Sequence, residues 1–354
     1  MGENKMIKKV KVGVIGTGKI GKLHLESLIH YNENALVVHV ADPYMSDDMK
    51  QWLNNRGITK ISADPYELIN DPNVEAVLIC SPTDLHSEHI IASAKANKHI
   101  FCEKPVDFDI ERVLKTLKVV KDSKVKFQIG FNRRFDHNFK RVRDEVHSGK
   151  YGEPHIVKVT SRDPAPPPIG YLKASGGIFM DQMIHDFDMI RYLSGREVKS
   201  VFARGTVKID PVIGELGDVD TALVSVEFDN GALGVIDNSR QAIYGYDQRV
   251  EVFCARGCCL AENDSDTRVA ILTDKGIRTD NPPYFFLQRY FFAYVEEVKS
   301  FVKSIIENTE PVCSFLDGIM PVVIAEAAKR SLAENRSIET EEIISMERIK
   351  EFLN

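Results

Sequence analysis

The 354-residue sequence has no long apolar run and no excess of basic residues. None of its hydrophobic stretches approaches the roughly 20 residues that a membrane-spanning helix needs, so we expect no membrane partner. Lys and Arg number 46 against 52 Asp and Glu, and the formal net charge of −6 argues against nucleic acid as a partner. The short polar start, MGENKMIKK, runs directly into a predicted strand, and no signal peptide is visible.

Cysteine is also scarce, with six residues scattered along the chain. This usage fits a reducing cytoplasm better than a disulfide framework, so we expect a cytoplasmic protein. The closest group is Cys254, Cys258 and Cys259 in FCARGCCLAE. It lacks the Cys-x-x-Cys spacing and a nearby His, so we interpret these residues as small side chains in strands and predict no metal site.

The first third of the chain alternates predicted strands and helices. Continuously apolar runs such as KVKVGVIG and VEAVLICSP alternate with helical patterns such as KIGKLHLESLIHY and IERVLKTLKVVKDS. This order indicates βαβ units and a parallel sheet covered on both faces. We therefore predict an α/β, doubly wound domain of the Rossmann type over residues 1–131.

The pattern changes further along the chain. A predicted strand, HIVKVTSRDP, is followed by a predicted helix over residues 176–193 and then by strands in hairpins, with turns at Asp229-Asn230-Gly231 and Asp274-Lys275-Gly276. Helices are predicted near 287–307, 316–335 and 341–353. We predict that residues 132–354 form an α+β domain on a largely antiparallel sheet.

A glycine pattern follows the first predicted strand. VGVIGTGKIG contains Gly16, Gly18 and Gly21 in Gly-x-Gly-x-x-Gly spacing, at the start of a predicted helix. The first glycine permits a tight turn, the second lets the backbone approach a pyrophosphate, and the third lets helix and strand pack closely. In a first βαβ unit this pattern predicts a dinucleotide site. The residues expected to contact the cofactor here are Gly16, Thr17, Gly18, Lys19 and Ile20.

The second predicted strand ends at Asp42 in VVHVADP. A carboxylate there can accept hydrogen bonds from the adenosine ribose and would repel a 2′-phosphate. No Arg or Lys lies between Ala41 and Met49 to bind that phosphate, so NAD is predicted rather than NADP. The alternative is that Asp42 only starts the ADPY turn.

Two further strand ends carry polar side chains. ICSPTDLHSEH offers Ser81, Pro82, Thr83 and His86 to the far side of the dinucleotide, although His86 could instead cap a helix. We interpret His89 as a solvated helix residue. FCEKP places Glu103 and Lys104 at the next strand end, where a cation can stabilise a developing alkoxide. A single solvated lysine is the alternative for Lys104.

The segment DQMIHDFD sets a histidine among carboxylates. On one helix Asp181, His185 and Asp188 share a face, opposite an apolar stripe. For an isolated helix that pattern is typical of a solvated face. In a chain with a redox cofactor site, His185 can serve as a base near neutral pH, and Asp181 can hold the tautomer of its imidazole.

The ordered set of motifs resembles the glucose–fructose oxidoreductase/inositol dehydrogenase family, and within it the inositol 2-dehydrogenases. The motifs that carry the resemblance are GVIGTGKIG, EKP, GFNRRFD, TSRDPAPPP, SGGIFMDQMIHDFDM and YGYDQRVEVFC. The resemblance runs from Lys11 to the C-terminal helices. It implies NAD as cofactor and a homotetramer formed through the sheet of the second domain. One departure is Ser161, where some inositol dehydrogenases have a His.

The resemblance also implies a reaction and its residues. A hydride passes from a ring carbinol carbon of a polyol, most simply myo-inositol, to C4 of NAD⁺, and His185 takes the hydroxyl proton. Asp181 orients His185, and Lys104 completes the catalytic set. The substrate-binding residues implied by the resemblance are Lys104, Asn132, Arg133, Asp163, Asp181, His185 and Tyr244.

Alternatives stay open for the roles of single residues, for the substrate and for the functional class of the protein. Arg133 and Arg134 could pair with surface carboxylates, and Tyr244 and Tyr246 could be packing residues of a sheet. The substrate could be another inositol isomer, a pyranose or an anhydrosugar, and a glycosidase using NAD transiently is a further reading. A non-catalytic NAD-binding regulator on the same fold is the alternative outside enzymes.

Overall fold

A computed structural model describes residues 9–353. The N-terminal stretch interpreted as lacking a signal peptide lies almost wholly outside these residues. The strands are β1 (Val10–Ile15), β2 (Ala35–Ala41), β3 (Ile61–Ser62), β4 (Ala76–Ile79), β5 (His99–Glu103), β6 (Phe127–Gly130), β7 (Pro154–Arg162), β8 (Val198–Thr206), β9 (Thr221–Phe228), β10 (Leu233–Ser239), β11 (Asp247–Cys254), β12 (Gly257–Ala261), β13 (Ala270–Thr273), β14 (Gly276–Thr279) and β15 (Ile338–Glu339).

Helices alternate with the first strands and cluster again near the C-terminus. They are α1 (Lys19–Tyr31), α2 (Asp47–Asn54), α3 (Pro65–Ile69), α4 (His86–Lys95), α5 (Ile110–Ser123), α6 (His137–His147), α7 (Ile169–Leu172), α8 (Gly177–Asp181), α9 (Ile184–Ser194), α10 (Pro211–Glu215), α11 (Phe286–Arg289), α12 (Phe291–Glu307), α13 (Phe315–Glu334) and α14 (Met346–Leu353). Within residues 9–353, no helix has both the length and the apolar character needed to cross a membrane.

The chain divides into two compact units. The first holds the residues up to Asn132, then Phe292–Ile319 and the C-terminus from Lys350; the second holds Arg133–Phe291 and Met320–Ile349. The chain first crosses from the first unit to the second between Asn132 and Arg133, one residue from the predicted division after residue 131. The three later crossings, after residues 291, 319 and 349, were not predicted.

The first unit is the predicted doubly wound sheet. Its strands run parallel in the order β3-β2-β1-β4-β5-β6, so the order reverses between β1 and β4. Apolar strand residues are buried because helices cover the sheet, and polar residues cap the helices: Ser46 accepts from Met49 N at the start of α2. The carboxyl ends of β1, β2, β4, β5 and β6 therefore meet along one edge of the sheet.

Helix α12 belongs to the first unit because its apolar side chains complete that core. Val298, Phe301 and Val302 are buried in the cluster that contains Val12 and Leu78 of the parallel sheet. Sequence analysis predicted the helix but assigned it to the C-terminal domain. An apolar helical stripe does not specify which sheet it covers, so this assignment required the structure.

The second unit is built on a seven-stranded sheet in the order β12-β11-β7-β10-β9-β8-β15. β7 and β10 pair in parallel and the other neighbours are antiparallel, as predicted for a largely antiparallel sheet. Both predicted hairpin turns form. Gly231, with φ +84°, follows β9, and Gly276, with φ +118°, starts β14. Cys254 lies in β11 and Cys258 and Cys259 in β12, as predicted, and all six cysteines are free.

The predicted helix over 176–193 is wrong in one respect. It is broken into α8 and α9, with Gln182 and Met183 between them. α9 packs on the sheet so closely that a Cβ at Gly234 would lie 2.5 Å from Ile190 Cδ1. Asp186 and Asp188 are buried in α9. The helix is therefore buried on more than its apolar stripe, and Asp181, His185 and Asp188 do not form one solvated face.

Candidate active site

The glycine loop of the first unit has the geometry its spacing predicts. Gly16 has φ +89°, and a Cβ there would lie 2.5 Å from the carbonyl oxygen of Cys80. A Cβ on Gly21 would collide with the Gly16 carbonyl oxygen, whereas a Cβ on Gly18 would meet nothing within 4 Å. Gly18 also precedes α1, whose N-terminus begins at Lys19. Gly16 and Gly21 thus allow the close backbone approach at this loop, and Gly18 leaves space for a phosphate group at the helix N-terminus.

Asp42 is joined directly to this loop. Its Oδ2 accepts hydrogen bonds from Thr17 N at 2.7 Å and Thr17 Oγ1 at 2.6 Å, and its Oδ1 accepts from Tyr44 N at 2.8 Å. The last bond is the turn contact considered as the alternative, so one carboxylate oxygen serves the turn and the other faces the glycine loop. Asp42 is half-buried and immediately follows β2, at the position that contacts ribose in dinucleotide folds.

The segment after β4 forms a bonded group around Ser81. His86 is buried, and its two ring nitrogens lie 2.7 Å from Pro105 O and 2.8 Å from Ser81 O. Burial lowers the pKa of His86. The interpretation of His89 as solvated is wrong, because it is 4% exposed and its Nδ1 lies 3.0 Å from Ser81 Oγ. His86 thus connects the strand end at Ser81 to Pro105, and Pro82 and Thr83 follow Ser81 at the sheet edge.

Glu103 ends β5 and Lys104 follows it; both are half-buried. Glu103 Oε1 lies 2.7 Å from Nε2 of His24, a fully buried residue of α1. The motif Glu-Lys-Pro is therefore held to the helix that starts at the glycine loop. Asn132, at the end of this unit, is buried and starts a 3₁₀ turn after β6.

In the second unit Arg133 lies at the centre of a buried polar network. Its Nη1 donates to Asp186 Oδ1 at 2.5 Å, and its Nη2 donates to Tyr246 OH at 3.3 Å. Both nitrogens lie 3.3 Å from Ser161 Oγ. Asp186 also accepts from Asn238 Nδ2 at 2.8 Å. The paired carboxylate is thus buried, not on the surface as the alternative supposed.

Arg134 makes the same kind of pair one residue later. Its Nε and Nη2 donate to the two oxygens of Asp188 at 2.8 Å and 2.6 Å. Both side chains are at least nine-tenths buried. Asp188 therefore carries a structural ion pair, and the grouping of Asp188 with Asp181 and His185 on one face is corrected.

Asp163 follows β7 and is surrounded by charge. Withdrawal from water raises the pKa of Asp163 to about 7; the guanidinium groups of Arg133 and Arg240 oppose the rise, and the carboxylates of Asp181 and Asp186 add to it. A carboxyl group that titrates near neutral pH can either donate or accept a hydrogen bond under working conditions. Arg133 and Asp181, two other predicted substrate-binding residues, thus act electrostatically on Asp163.

Asp181 and His185 lie on either side of the helix break. Asp181 ends α8 and accepts a hydrogen bond from Tyr171 OH at 2.7 Å. Its other oxygen lies 3.6 Å from Nη1 of Arg240. His185 is the second residue of α9, and both Asp181 and His185 are half-buried. Two groups thus act on Asp181, one by hydrogen bonding and one by charge.

Tyr244 has a different set of partners. Its hydroxyl donates to Asp247 Oδ2 at 2.6 Å and accepts from Arg162 Nη1 at 3.2 Å. Its side chain is 41% exposed. Tyr246, considered as a packing residue, is buried and accepts the bond from Arg133. The structure thus brings Tyr246 into the Arg133 network and Tyr244 into a group with Arg162.

Sequence reasoning missed several residues of this cluster: Tyr171, Asp186, Asn238, Arg240 and Gln248. Asp186 follows His185 directly, and a carboxylate within an apolar helix is a signal that could have been used. Gln248 donates to Ser161 Oγ at 3.2 Å from the neighbouring strand β11, 87 residues along the chain, and Arg240 lies alone between a strand and a turn. No local pattern marks either residue.

Comparison with known proteins agrees with this geometry. Residues 10–131 match the model of the oxidoreductase family with an NAD-binding Rossmann fold, and residues 139–259 match the GFO/IDH/MocA C-terminal domain. The chain is 48% identical to myo-inositol 2-dehydrogenase of Thermotoga maritima, over 95% of this chain and 100% of the relative.

The chain belongs to the glucose–fructose oxidoreductase/inositol dehydrogenase family. It is 44% identical to inositol 2-dehydrogenase of Rhizobium meliloti, over 93% of this chain and 98% of that protein. It also resembles the crystal structure of scyllo-inositol dehydrogenase from Lactobacillus casei with bound NAD(H) and scyllo-inositol, with a TM-score of 0.88 and 27% identity over 94% of this chain and 100% of the other. The predicted fold and family are confirmed.

Family membership fixes the cofactor and the class of reaction. The protein is an NAD-dependent oxidoreductase that acts on a CH–OH group. The glycine loop and Asp42 fit this cofactor, because Gly18 leaves open space and the carboxylate follows β2. The roles of individual site residues stay predictions.

Proposed function

We propose that the protein oxidises one ring hydroxyl of a cyclitol with NAD⁺, converting myo-inositol to 2-keto-myo-inositol (scyllo-inosose). The observation that carries the proposal is the buried hydrogen-bond network of Arg133 with Ser161, Asp186 and Tyr246, in a chain whose relatives are named inositol dehydrogenases. A cyclitol presents hydroxyls around its whole ring. Each hydroxyl left unpaired in a dry pocket would cost roughly 1–3 kcal/mol, so a site rich in donors and acceptors suits this substrate.

The cofactor is held by residues of the first unit. The loop from Gly16 to Ile20, together with Asp42, holds the cofactor, and Ser81, Pro82, Thr83, His86 and Glu103 shape the sheet edge beside it. NAD⁺, when bound, supplies the hydride acceptor.

His185 takes the proton of the reacting hydroxyl, since an imidazole titrates near neutral pH. Asp181 orients the imidazole, and Lys104 stabilises the developing alkoxide. Asn132, Arg133, Asp163 and Tyr244 bind the remaining hydroxyls.

The first test is NADH formation with myo-, scyllo- and chiro-inositol, glucose and xylose, repeated with NADP⁺. The proposal expects strong turnover of one inositol with NAD⁺. Turnover of sugars alone would keep the chemistry and reject the cyclitol. A scyllo-inositol preference would point to the isomer bound in the Lactobacillus casei structure. Bound NAD without any turnover would favour a regulator.

Two histidine variants test the assigned base. His185→Ala should lower kcat by about 10²–10⁴-fold, which is the usual contribution of general base catalysis, and leave NAD binding unchanged. His30→Ala is the matched control, because His30 is exposed in the last turn of α1. Near-normal turnover of His185→Ala would show that another group takes the proton.

We also propose a homotetramer assembled through the open face of the second sheet. Phe253, Ile156 and Leu233 lie opposite one another in adjacent strands, each at least 36% exposed, and Leu223 and Leu260 extend the apolar area. A row of exposed apolar side chains across three strands, as formed by Phe253, Ile156 and Leu233, is typical of an interface. We place the protein in the cytoplasm, where its six free cysteines would stay reduced.

A further inference from the structure

Arg240 is a fully buried charge that has no assigned role. It follows β10, its side chain is 1% exposed, and its backbone N–H donates to Asp220 O at 2.8 Å. Burying a guanidinium destabilises a protein unless carboxylates compensate the charge with good geometry. The contacts of Arg240 therefore determine what this residue does.

The guanidinium lies between the carboxylates at the two ends of α8. Nη1 is 3.6 Å from Asp181 Oδ2, and Nη2 is 3.6 Å from Asp218 Oδ2. Asp218 Oδ1 accepts from Ile178 N at 3.0 Å near the start of α8, and Asp181 is the last residue of that helix. Both distances to Arg240 exceed ordinary hydrogen-bond length, so charge is the main coupling.

The backbone before Arg240 is fixed by two hydrogen bonds. The carbonyl oxygen of Ser239 accepts from Asp163 N at 2.9 Å and from Gln182 Nε2 at 3.2 Å. Gln182 lies in the break between α8 and α9. Arg240 is thus held against the segment that connects Asp181 to His185.

Other polar and charged groups also act on Asp181. Tyr171 of α7 donates its phenolic hydrogen to Asp181, and burial together with the Asp181 charge raises the pKa of Tyr171, so this proton stays on the phenol near neutral pH. Asp163 adds negative charge from the end of β7, and Arg133 and Asp186 act on Asp163 in turn. Arg240 forms an ion pair with Asp181.

We propose that Arg240 is a positioning residue for the dehydrogenase reaction, whose positive charge holds the Asp181 carboxylate in place and thereby keeps His185 oriented and ready to take the substrate proton. This inference rests on the proposed function. Without the cation, the base and the carboxyl group of Asp163, whose pKa Arg240 lowers, bind a proton more easily, because removing a nearby positive charge favours the protonated form. The inactive, protonated state of the base then persists to higher pH.

The test compares pH profiles of kcat/KM for wild type, Arg240→Gln and Arg240→Lys. In Arg240→Gln the acidic limb of the profile should shift by about one pH unit to higher pH. The value of kcat/KM then falls about tenfold at pH values below the limb and changes little well above it. Arg240→Lys should restore most of the wild-type profile, because charge is the main coupling. Arg141→Gln is the control, since Arg141 is exposed on α6.

A structural role gives a different result. If Arg240 only supported the fold, Arg240→Gln would lower kcat/KM by the same factor at every pH, and that result would overturn the inference. An unchanged acidic limb in a folded Arg240→Gln would overturn it as well. Because charge is the proposed agent, failure of a folded Arg240→Lys to move the limb back toward wild type would also reject it.

A second readout does not depend on turnover. Histidine-selective NMR titration, with the His185 signal assigned from His185→Gln, should show a higher apparent pKa for His185 in Arg240→Gln than in wild type. If wild type is silent on every polyol, the proposed function fails and this titration alone decides the Arg240 inference. If Arg240→Gln does not fold, Asp218→Asn takes its place in both measurements: it keeps the Arg240 charge and removes the carboxylate beside it, so the acidic limb and the apparent pKa of His185 should move to lower pH, and an unchanged limb would reject the inference.

Discussion

Thr17 donates two hydrogen bonds to a single oxygen of Asp42, one from its backbone nitrogen and one from its hydroxyl. The carboxylate is thereby fixed at the glycine loop, while its second oxygen is held by the turn at Tyr44. A carboxylate held in this way cannot swing aside to admit a 2′-phosphate without breaking these bonds. We therefore expect the joined glycine loop and β2 end to favour NAD over NADP.

Replacement of this carboxylate should relax cofactor choice. Asp42→Ala removes hydrogen bonds to a charged group, worth about 1.5–3 kcal/mol, so KM for NAD⁺ should rise at least about tenfold. The preference for NAD⁺ over NADP⁺, measured as a ratio of kcat/KM values, should fall. Asp48→Ala, at an exposed position of α2, is the control for loss of charge. An unchanged ratio in Asp42→Ala would place the discrimination elsewhere.

Asp163 should make the stability of the protein depend on pH. Its pKa is about 7 in the folded chain against 3.8 for the ordinary side chain. Between these two values the folded protein holds a proton that the unfolded chain has released. Stability therefore falls as pH rises through this window, by at most about 1.4 kcal/mol per pH unit.

Asp163→Asn removes that dependence. The free energy of unfolding of Asp163→Asn, measured relative to wild type by urea denaturation, should increase as pH rises from about 4 to about 7 and then level off. Asp266→Asn, at an exposed loop position, should show no such trend. A flat difference between Asp163→Asn and wild type would mean that Asp163 is ionised throughout the window.

Removing only one partner of the buried pair Arg134–Asp188 should lower the stability of the protein. Arg134→Met leaves Asp188 as a buried carboxylate and should lower the free energy of unfolding by about 3–5 kcal/mol. The double variant Arg134→Met/Asp188→Leu should recover most of the loss, since Arg191 keeps its pair with Glu197. Arg141→Met, at an exposed ion pair of α6, should change stability by less than about 1 kcal/mol. Equal losses for the single and double variants would contradict this account.

Charged side chains placed on the exposed face of the second sheet, at the row of Phe253, Ile156 and Leu233, should prevent assembly of the tetramer. Ile156→Glu/Leu233→Glu places two carboxylates in the middle of the apolar row and should give monomers of 39.9 kDa in sedimentation velocity. Tyr44→Glu, at a position that is 92% exposed in the first unit, should leave the assembly unchanged. A wild-type protein that sediments as a monomer would reject the tetramer outright.

Local patterns predicted most of the architecture. The spacing of Gly16, Gly18 and Gly21 and the position of Asp42 follow from rules that act within one βαβ unit, and the hairpin glycines follow from turn geometry. The pairing of Arg133 with Asp186, which are 53 residues apart, depends on how α9 packs, and local sequence does not encode it. The break at Gln182 escaped detection because the apolar spacing on both sides continues in phase.

Helix α12 has a consequence for synthesis on the ribosome. The parallel sheet is translated first, but Val298, Phe301 and Val302 of its core emerge only after strands β7 to β14 of the second unit. A nascent chain that ends before residue 291 therefore carries a sheet with an uncovered apolar patch. Fragments that stop at residue 131 should associate or recruit chaperones, while the released full-length chain covers the patch with its own helix.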